Sequence, residues 1–171
     1  MMANENTAVF IGHSECYGVT SEMVIAEIIK LIDKGVIYFL SGGQGGFDRL
    51  CAGCVYRLKK KYPQIHNNLV IPYLTFNVFD KDIFDEIVYP EGFENYHFKS
   101  AILARNKYMV NNSAYAVCYV THGWGGAAGT YEYAKQKQLQ ILNIAQNNGG
   151  QYNGDLRKSV GLEDPATWKK A

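Results

Sequence analysis

The chain has 171 residues, 47% of them hydrophobic and 19% charged, with a formal net charge of +1. That length suits one compact domain burying about two-thirds of its unfolded surface, and the composition fits a globular protein rather than a disordered one. The near-neutral balance supplies no field for a polyanion or a membrane surface, so a phosphate-bearing partner would have to be held by local groups.

The start, Met1-Met-Ala-Asn-Glu-Asn6, lacks the basic and apolar regions of a signal peptide. No apolar run reaches the roughly 18 residues of a spanning helix. Cys51 and Cys54 form a CxxC pair, but it lies inside a predicted helix, Phe47 to Lys61. A second CxxC and a His pair at ligand spacing are both missing, so these cysteines read as small core residues, and neither a metal nor a cofactor is expected. A reducing cytoplasm fits this usage.

Thr7-Ala-Val-Phe-Ile-Gly12 is apolar without alternation and predicts a buried strand. His13 follows it and is either a ligand-facing group at a strand's C-terminal end or a loop residue tied to the backbone. Thr20 or Ser21 caps a helix running to about Lys34, stopped by Gly35. Val36-Ile-Tyr-Phe-Leu-Ser41 is a second strand, followed by a glycine turn, Gly42-Gly-Gln-Gly-Gly46, and the helix that carries Asp48 in its first turn. Asp48 either favours the helix dipole or accepts from ribose hydroxyls. The turn lacks the Gly-Lys-Ser/Thr of a Walker A loop and the strict GxGxxG register.

Asn68-Leu-Val-Ile-Pro-Tyr73 is a third strand, ended by Pro72. Residues 74 to 97 are irregular and aromatic, with a short helix expected over Asp80 to Glu86; so aromatic a connection is expected to be packed and to form a pocket wall. Phe98 to Asn112 is helical and carries Arg105 and Asn106. Arg105 either grips a phosphate or carboxylate or makes a surface salt bridge. Ala114-Tyr-Ala-Val-Cys-Tyr-Val120 is a fourth strand. It feeds Thr121-His-Gly-Trp-Gly-Gly-Ala-Ala-Gly-Thr-Tyr-Glu132, a glycine turn opening a helix. Such a strand, turn and helix N-terminus is either an anion site or a tight connection whose glycines serve packing. Leu139 to Ile144 is a fifth strand, and residues 145 to 171 form a polar tail.

Strands alternating with helices predict an α/β fold with a mainly parallel, doubly wound sheet of about five or more strands. The loops at Gly12, Gly42 and Gly123 follow three strands and can converge on one edge, which favours a shared site over three separate turns.

Five stretches carry a family resemblance: Gly12-His13; Ser41-Gly-Gly-Gln44 with Phe47-Asp48; Arg105-Asn-Lys-Tyr-Met109; Ser113-Ala-Tyr-Ala-Val117; and Trp124-Gly-Gly-Ala-Ala128 with Glu132-Tyr-Ala134. Together they resemble the SLOG superfamily, and more narrowly its DUF1273-like bacterial branch. The superfamily includes LOG phosphoribohydrolases, DprA, and sensor domains for nucleotide signals. The resemblance implies a single Rossmann-like three-layer domain over residues 1 to 144. It also implies a nucleotide-type site built from Gly12 and His13, from Gly42, Gly43 and Gln44, from Arg105 and Asn106, and from Trp124, Gly125, Gly126, Gly129 and Thr130.

Function is then expected to be binding of a nucleotide, NAD, ADP-ribose or cyclic-nucleotide ligand, as a sensor or sequestering protein. The alternative is a LOG-like nucleoside 5′-monophosphate phosphoribohydrolase. In that case Glu132 or Asp48 would steady the oxocarbenium charge or activate water, and Arg105 would hold the 5′-phosphate. The LOG signature Pro-Gly-Gly-x-Gly-Thr-x-x-Glu is not reproduced: Tyr133 stands three after Thr130, and Glu132 comes one position early. That shift turns a helical side chain by about 100°. The expected partners are the small nucleotide ligand and further copies of the chain as a homodimer or higher homo-oligomer, with no nucleic acid and no membrane.

Overall fold

The computed structural model describes residues 4–146, so most of the tail assigned to residues 145–171 lies outside the described residues. Six strands and four helices follow in order: β1 (Thr7–Gly12), α1 (Ser21–Asp33), β2 (Tyr38–Ser41), α2 (Gly46–Leu58), β3 (His66–Val70), β4 (Glu86–Val88), α3 (Phe98–Asn111), β5 (Tyr115–Tyr119), α4 (Gly126–Gln136) and β6 (Gln140–Asn143). The strands form one sheet in the order β4-β3-β2-β1-β5-β6, every neighbouring pair parallel.

Strand alternation divides the core between the two faces of the sheet. Ala8 and Phe10 pack with Phe39, Val24, Ile28, Phe47, Val55 and Leu58 beneath α1 and α2. Val9 and Ile11 pack with Leu40, Met109, Val110, Tyr131 and Ala134 beneath α3 and α4. Both faces being covered explains the continuous apolar runs of β1 and β5. Cys51 and Cys54 are buried in the first of these clusters. Helix α1 starts where the Thr20 hydroxyl accepts from Met23 N–H at 3.4 Å, and the chain leaves it through Gly35 at φ 94°.

The sixth strand is a correction to the sequence reading. A helix was expected over Asp80 to Glu86, but Asp80 takes a left-handed φ of 53°, and only a single 3-10 turn, Lys81–Ile83, follows. The chain then runs beside β3 as β4. Asn67 holds it there: its carboxamide donates to the Ala52 and Ile83 carbonyls at 3.0 and 2.9 Å, and its backbone N–H donates to the Asp85 carboxylate at 2.7 Å. Three residues at an exposed edge carry too little pattern to be seen as a strand.

Candidate functional site

The strand order reverses between β1 and β5, where one connection runs to each side of the sheet. In an open parallel sheet that reversal leaves a crevice beyond the strands' carboxyl ends. A cleft of about 710 Å³ lies there, lined by the ends and loops of β1 and β5, by Gln44 from the β2–α2 connection and Asp48 from the first turn of α2, and by Ile102, Arg105, Asn106 and Met109 of α3. Its size is that of small-molecule sites.

Two glycine turns with the same spacing flank this region: Gly43-Gln-Gly-Gly46 ahead of α2 and Gly123-Trp-Gly-Gly126 ahead of α4. The residue before each helix has nearly the same backbone, φ 93° and ψ 174° at Gly45, φ 88° and ψ 177° at Gly125. Positive φ at both requires glycine. Their surroundings differ. At the first turn, a Cβ on Gly45 would lie 2.8 Å from Ser14 Cα, and one on Gly46 would lie 2.5 Å from the Ser14 carbonyl oxygen. That oxygen accepts from Gly46 N–H at 2.8 Å, and the Asp48 carboxylate accepts from Gln44 N–H at 3.1 Å. The first turn is therefore closed by the protein's own groups.

Arg105 completes that closure. It is 2% exposed, and its guanidinium donates to the Gly42 and Val70 carbonyls at 2.7 and 3.1 Å, to Gln44 Oε1 at 3.0 Å and to Asn106 Oδ1 at 2.8 Å. Four of its five N–H donors are thus committed, three of them tying α3 to the ends of β2 and β3 and the fourth bonding its neighbour Asn106. Burial pushes the Asp48 carboxyl up to about 6, against the opposing influence of the Gln44 N–H and the Arg105 charge.

The second turn is open. Among the described residues, a Cβ on Gly123, Gly125, Gly126 or Gly129 would meet nothing within 4 Å. Among the described residues no side chain caps α4, and its first internal bond runs from Gly129 N–H to the Gly125 carbonyl at 3.1 Å. The amides of Gly126, Ala127 and Ala128 precede that bond and carry the positive end of the helix dipole. Thr130 does not reach the cleft mouth as a donor, because its hydroxyl donates to the Gly126 carbonyl at 2.8 Å.

Three rings form a column beside this turn. His13 stacks on His122 with ring centroids 3.8 Å apart and planes 13° off parallel, and His122 stacks on Trp124 at 3.8 Å and 17°. His13 is the loop residue tied to the backbone and also lines the cleft: its Nε2 accepts from Thr121 N–H at 3.0 Å. Partial burial and the neighbouring His122 hold its pKa below the usual histidine value. Trp124 remains 72% exposed.

Of the residues singled out in the sequence, Gly12, His13, Gln44, Asp48, Arg105, Asn106, Trp124, Gly125, Gly126 and Thr130 line the cleft. Gly12 does so while packing on α2, since a Cβ there would fall 2.2 Å from the Phe47 ring. Gly42, Gly43, Gly129 and Glu132 are not in the lining. Gly42 sits against the Arg105 guanidinium and Gly43 against Leu69. Glu132 points outward, 63% exposed, in an ion pair with Lys135 at 3.0 Å. The sequence reading missed His122, which follows β5 after Val120 and Thr121 and stacks on His13 from the loop after β1. It also missed Asn143, whose carboxamide pairs with both backbone groups of Val120 and so shapes the loop. The position of His122 one residue ahead of the glycine turn could have marked it; Asn143 leaves no such signal.

An all-parallel sheet covered on both faces, with a glycine-lined cleft at its reversal point, defines a Rossmann-like α/β domain. Among the described residues no helix is long and apolar enough to cross a membrane. The YpsA family profile, described as the YspA SLOG family, matches residues 6–146, and the chain belongs to that family. It is 30% identical over 139 residues to the "Uncharacterized SPbeta prophage-derived protein YoqJ" of Bacillus subtilis (strain 168), an alignment covering 69% of this chain and 81% of that protein. Solved structures similar to it include DNA processing protein A from Helicobacter pylori, described for its single-stranded DNA binding mode. The TM-score is 0.46 at 17% identity, covering 89% of this chain and 80% of that one. DprA from Streptococcus pneumoniae gives a TM-score of 0.48 at 12% identity, covering 83% of this chain and 60% of that one.

The expectation that nucleic acid is no partner is corrected by the Helicobacter pylori match, a protein described by its single-stranded DNA binding mode. The exclusion rested on a net charge of +1. Net charge is a poor guard here, because a strand can be held by backbone amides and stacking rings as well as by a basic field.

Proposed function

We propose that the cleft binds a nucleotide or nucleotide-derived ligand of the NAD, ADP-ribose or cyclic-nucleotide type, and that the protein acts as a sensor or sequestering protein in the cytoplasm. The observation that carries this reading is the open second turn. The amides of Gly126 and Ala127 stand uncapped at the cleft among the described residues, and a Cβ built on Gly125 or Gly126 would meet nothing there within 4 Å. A phosphate fits such a helix start without a lysine or arginine. The four cysteines are free thiols, which suits the reducing compartment of this reading.

Binding is favoured over phosphoribohydrolase chemistry by the positions of the carboxylates. Glu132 faces solvent with Lys135, and Asp48 already accepts from Gln44 N–H. Arg105, the residue that would hold a 5′-phosphate, is committed to carbonyls and amides of the protein.

A thermal-shift series with AMP, ADP-ribose, NAD and cyclic AMP tests the proposal. A ligand at one hundred times its dissociation constant stabilises the fold by about 2.7 kcal/mol. A shift with intact ligand recovered afterwards supports binding without turnover. Release of free base transfers the assignment to the hydrolase, and no shift with any nucleotide overturns both.

A further inference from the structure

Resting on the nucleotide reading of this cleft, we infer that Trp124 is the base-recognition residue, the exposed end of a ring column that a nucleobase extends by one member. The column runs His13, His122, Trp124 with both spacings at 3.8 Å and all planes within 17° of their neighbours. One face of the indole is covered by His122. Yet Trp124 lines the cleft and is 72% exposed, a large apolar area that the described residues leave uncovered. The hydrophobic effect and ring stacking both favour covering it with a flat heterocycle.

The rings beneath fix the indole in place. His13 is held by Thr121 N–H through Nε2, and His122 is gripped between two rings. A preordered platform loses little side-chain entropy when a base lands on it. Trp124 also stands immediately before Gly125 and the uncapped amides of α4, so the base platform and the phosphate-facing backbone belong to one turn. Tyr17, 92% exposed on the β1–α1 loop, offers a second ring to the same cleft. Stacking reads the plane of a base rather than its hydrogen-bonding edge, so the expected selectivity is for ligands bearing a base over the same sugar phosphate without one.

The experiment compares AMP with ribose 5-phosphate by calorimetric titration, using the full chain, Trp124→Ala and Trp124→Phe. In addition, the Trp168→Phe variant leaves Trp124 as the sole indole for fluorescence. The expected result is that AMP binds roughly 10- to 100-fold tighter than ribose 5-phosphate, from the usual range for one stacked base, and quenches Trp124 emission. Trp124→Ala should bring AMP down to the affinity of ribose 5-phosphate, while Trp124→Phe restores most of the difference. Equal binding of AMP and ribose 5-phosphate by the full chain overturns the base platform and leaves the phosphate reading standing. An equal loss of both ligands in Trp124→Ala also overturns it, since the side chain would then act on the turn as a whole. Failure of both ligands to bind the full chain overturns the platform and the nucleotide reading together.

Discussion

The turn before α2 and the turn before α4 have the same glycine spacing and nearly the same dihedral angles at Gly45 and Gly125, but opposite surroundings. The first is filled from inside by Ser14, Asp48, Gln44 and Arg105, so its glycines answer to packing. The second is empty, and the glycines there that do not need positive φ answer to nothing in the described fold. Glycine in a strand-turn-helix motif thus has two meanings, and the space around its absent Cβ separates them.

The largest expected effect comes from placing alanine at the two equivalent positions. Both variants incur backbone strain of roughly 1–3 kcal/mol. Gly45→Ala adds a collision with Ser14 Cα, a further loss of about 1–3 kcal/mol by overpacking. Urea unfolding should therefore rank Gly45→Ala well below Gly125→Ala; equal losses would erase the distinction between the packed and the open turn.

Asp48 tests the packed turn through pH. Its folded pKa of about 6 lies above the ordinary 3.8. The folded state therefore holds more protons than the unfolded one between those values, and stability falls as pH rises through that window. The cost is complete above about pH 6 and absent below about 3.8. Asp48→Asn removes it and keeps an acceptor for Gln44 N–H, so it should stabilise the protein at pH 7.5 by up to roughly 3 kcal/mol and leave it unchanged at pH 3.5. Melting curves at the two pH values check this.

Smaller still is Gly126→Ala. The site is open and has ordinary φ, so the fold should gain up to about 1 kcal/mol from alanine's helix preference. Nucleotide affinity should fall nevertheless, because the methyl group stands where a phosphate would approach. Unchanged affinity would make the open turn as structural as the closed one. Glu132→Ala should leave the melting temperature essentially unchanged, as for other exposed ion pairs, and leave nucleotide binding intact; lost binding would place the carboxylate at the cleft.

The elements with strong local patterns were legible in the sequence. β1 and α1 were bounded almost to the residue, because an unbroken apolar run and a Thr20 cap are local signals. β4 was not, since its existence depends on Asn67 reaching to the Ile83 carbonyl. The site was half legible. Its loops were found from glycine positions after strands. The roles of the residues within them depended on distance partners: Arg105 finds its carbonyl acceptors 63 and 35 residues away, and nothing near Arg105 in the chain marks it as buried. The same glycine letters stood for both turns, so the filled and the empty one looked alike until Ser14 was placed.

The His13 contact with Thr121 has a consequence for proton chemistry. The Nε2 lone pair is occupied by the Thr121 N–H, which puts the neutral ring's proton on Nδ1. The atom that would accept a substrate proton is therefore already in use, stitching the loop after β1 to the loop after β5. Protonating that nitrogen removes the Thr121 bond and leaves the bond from His13 N–H to the Tyr119 carbonyl, at 3.2 Å, in place. While the Thr121 bond is made, this imidazole is a clasp between the two loops, with its Nε2 lone pair turned inward.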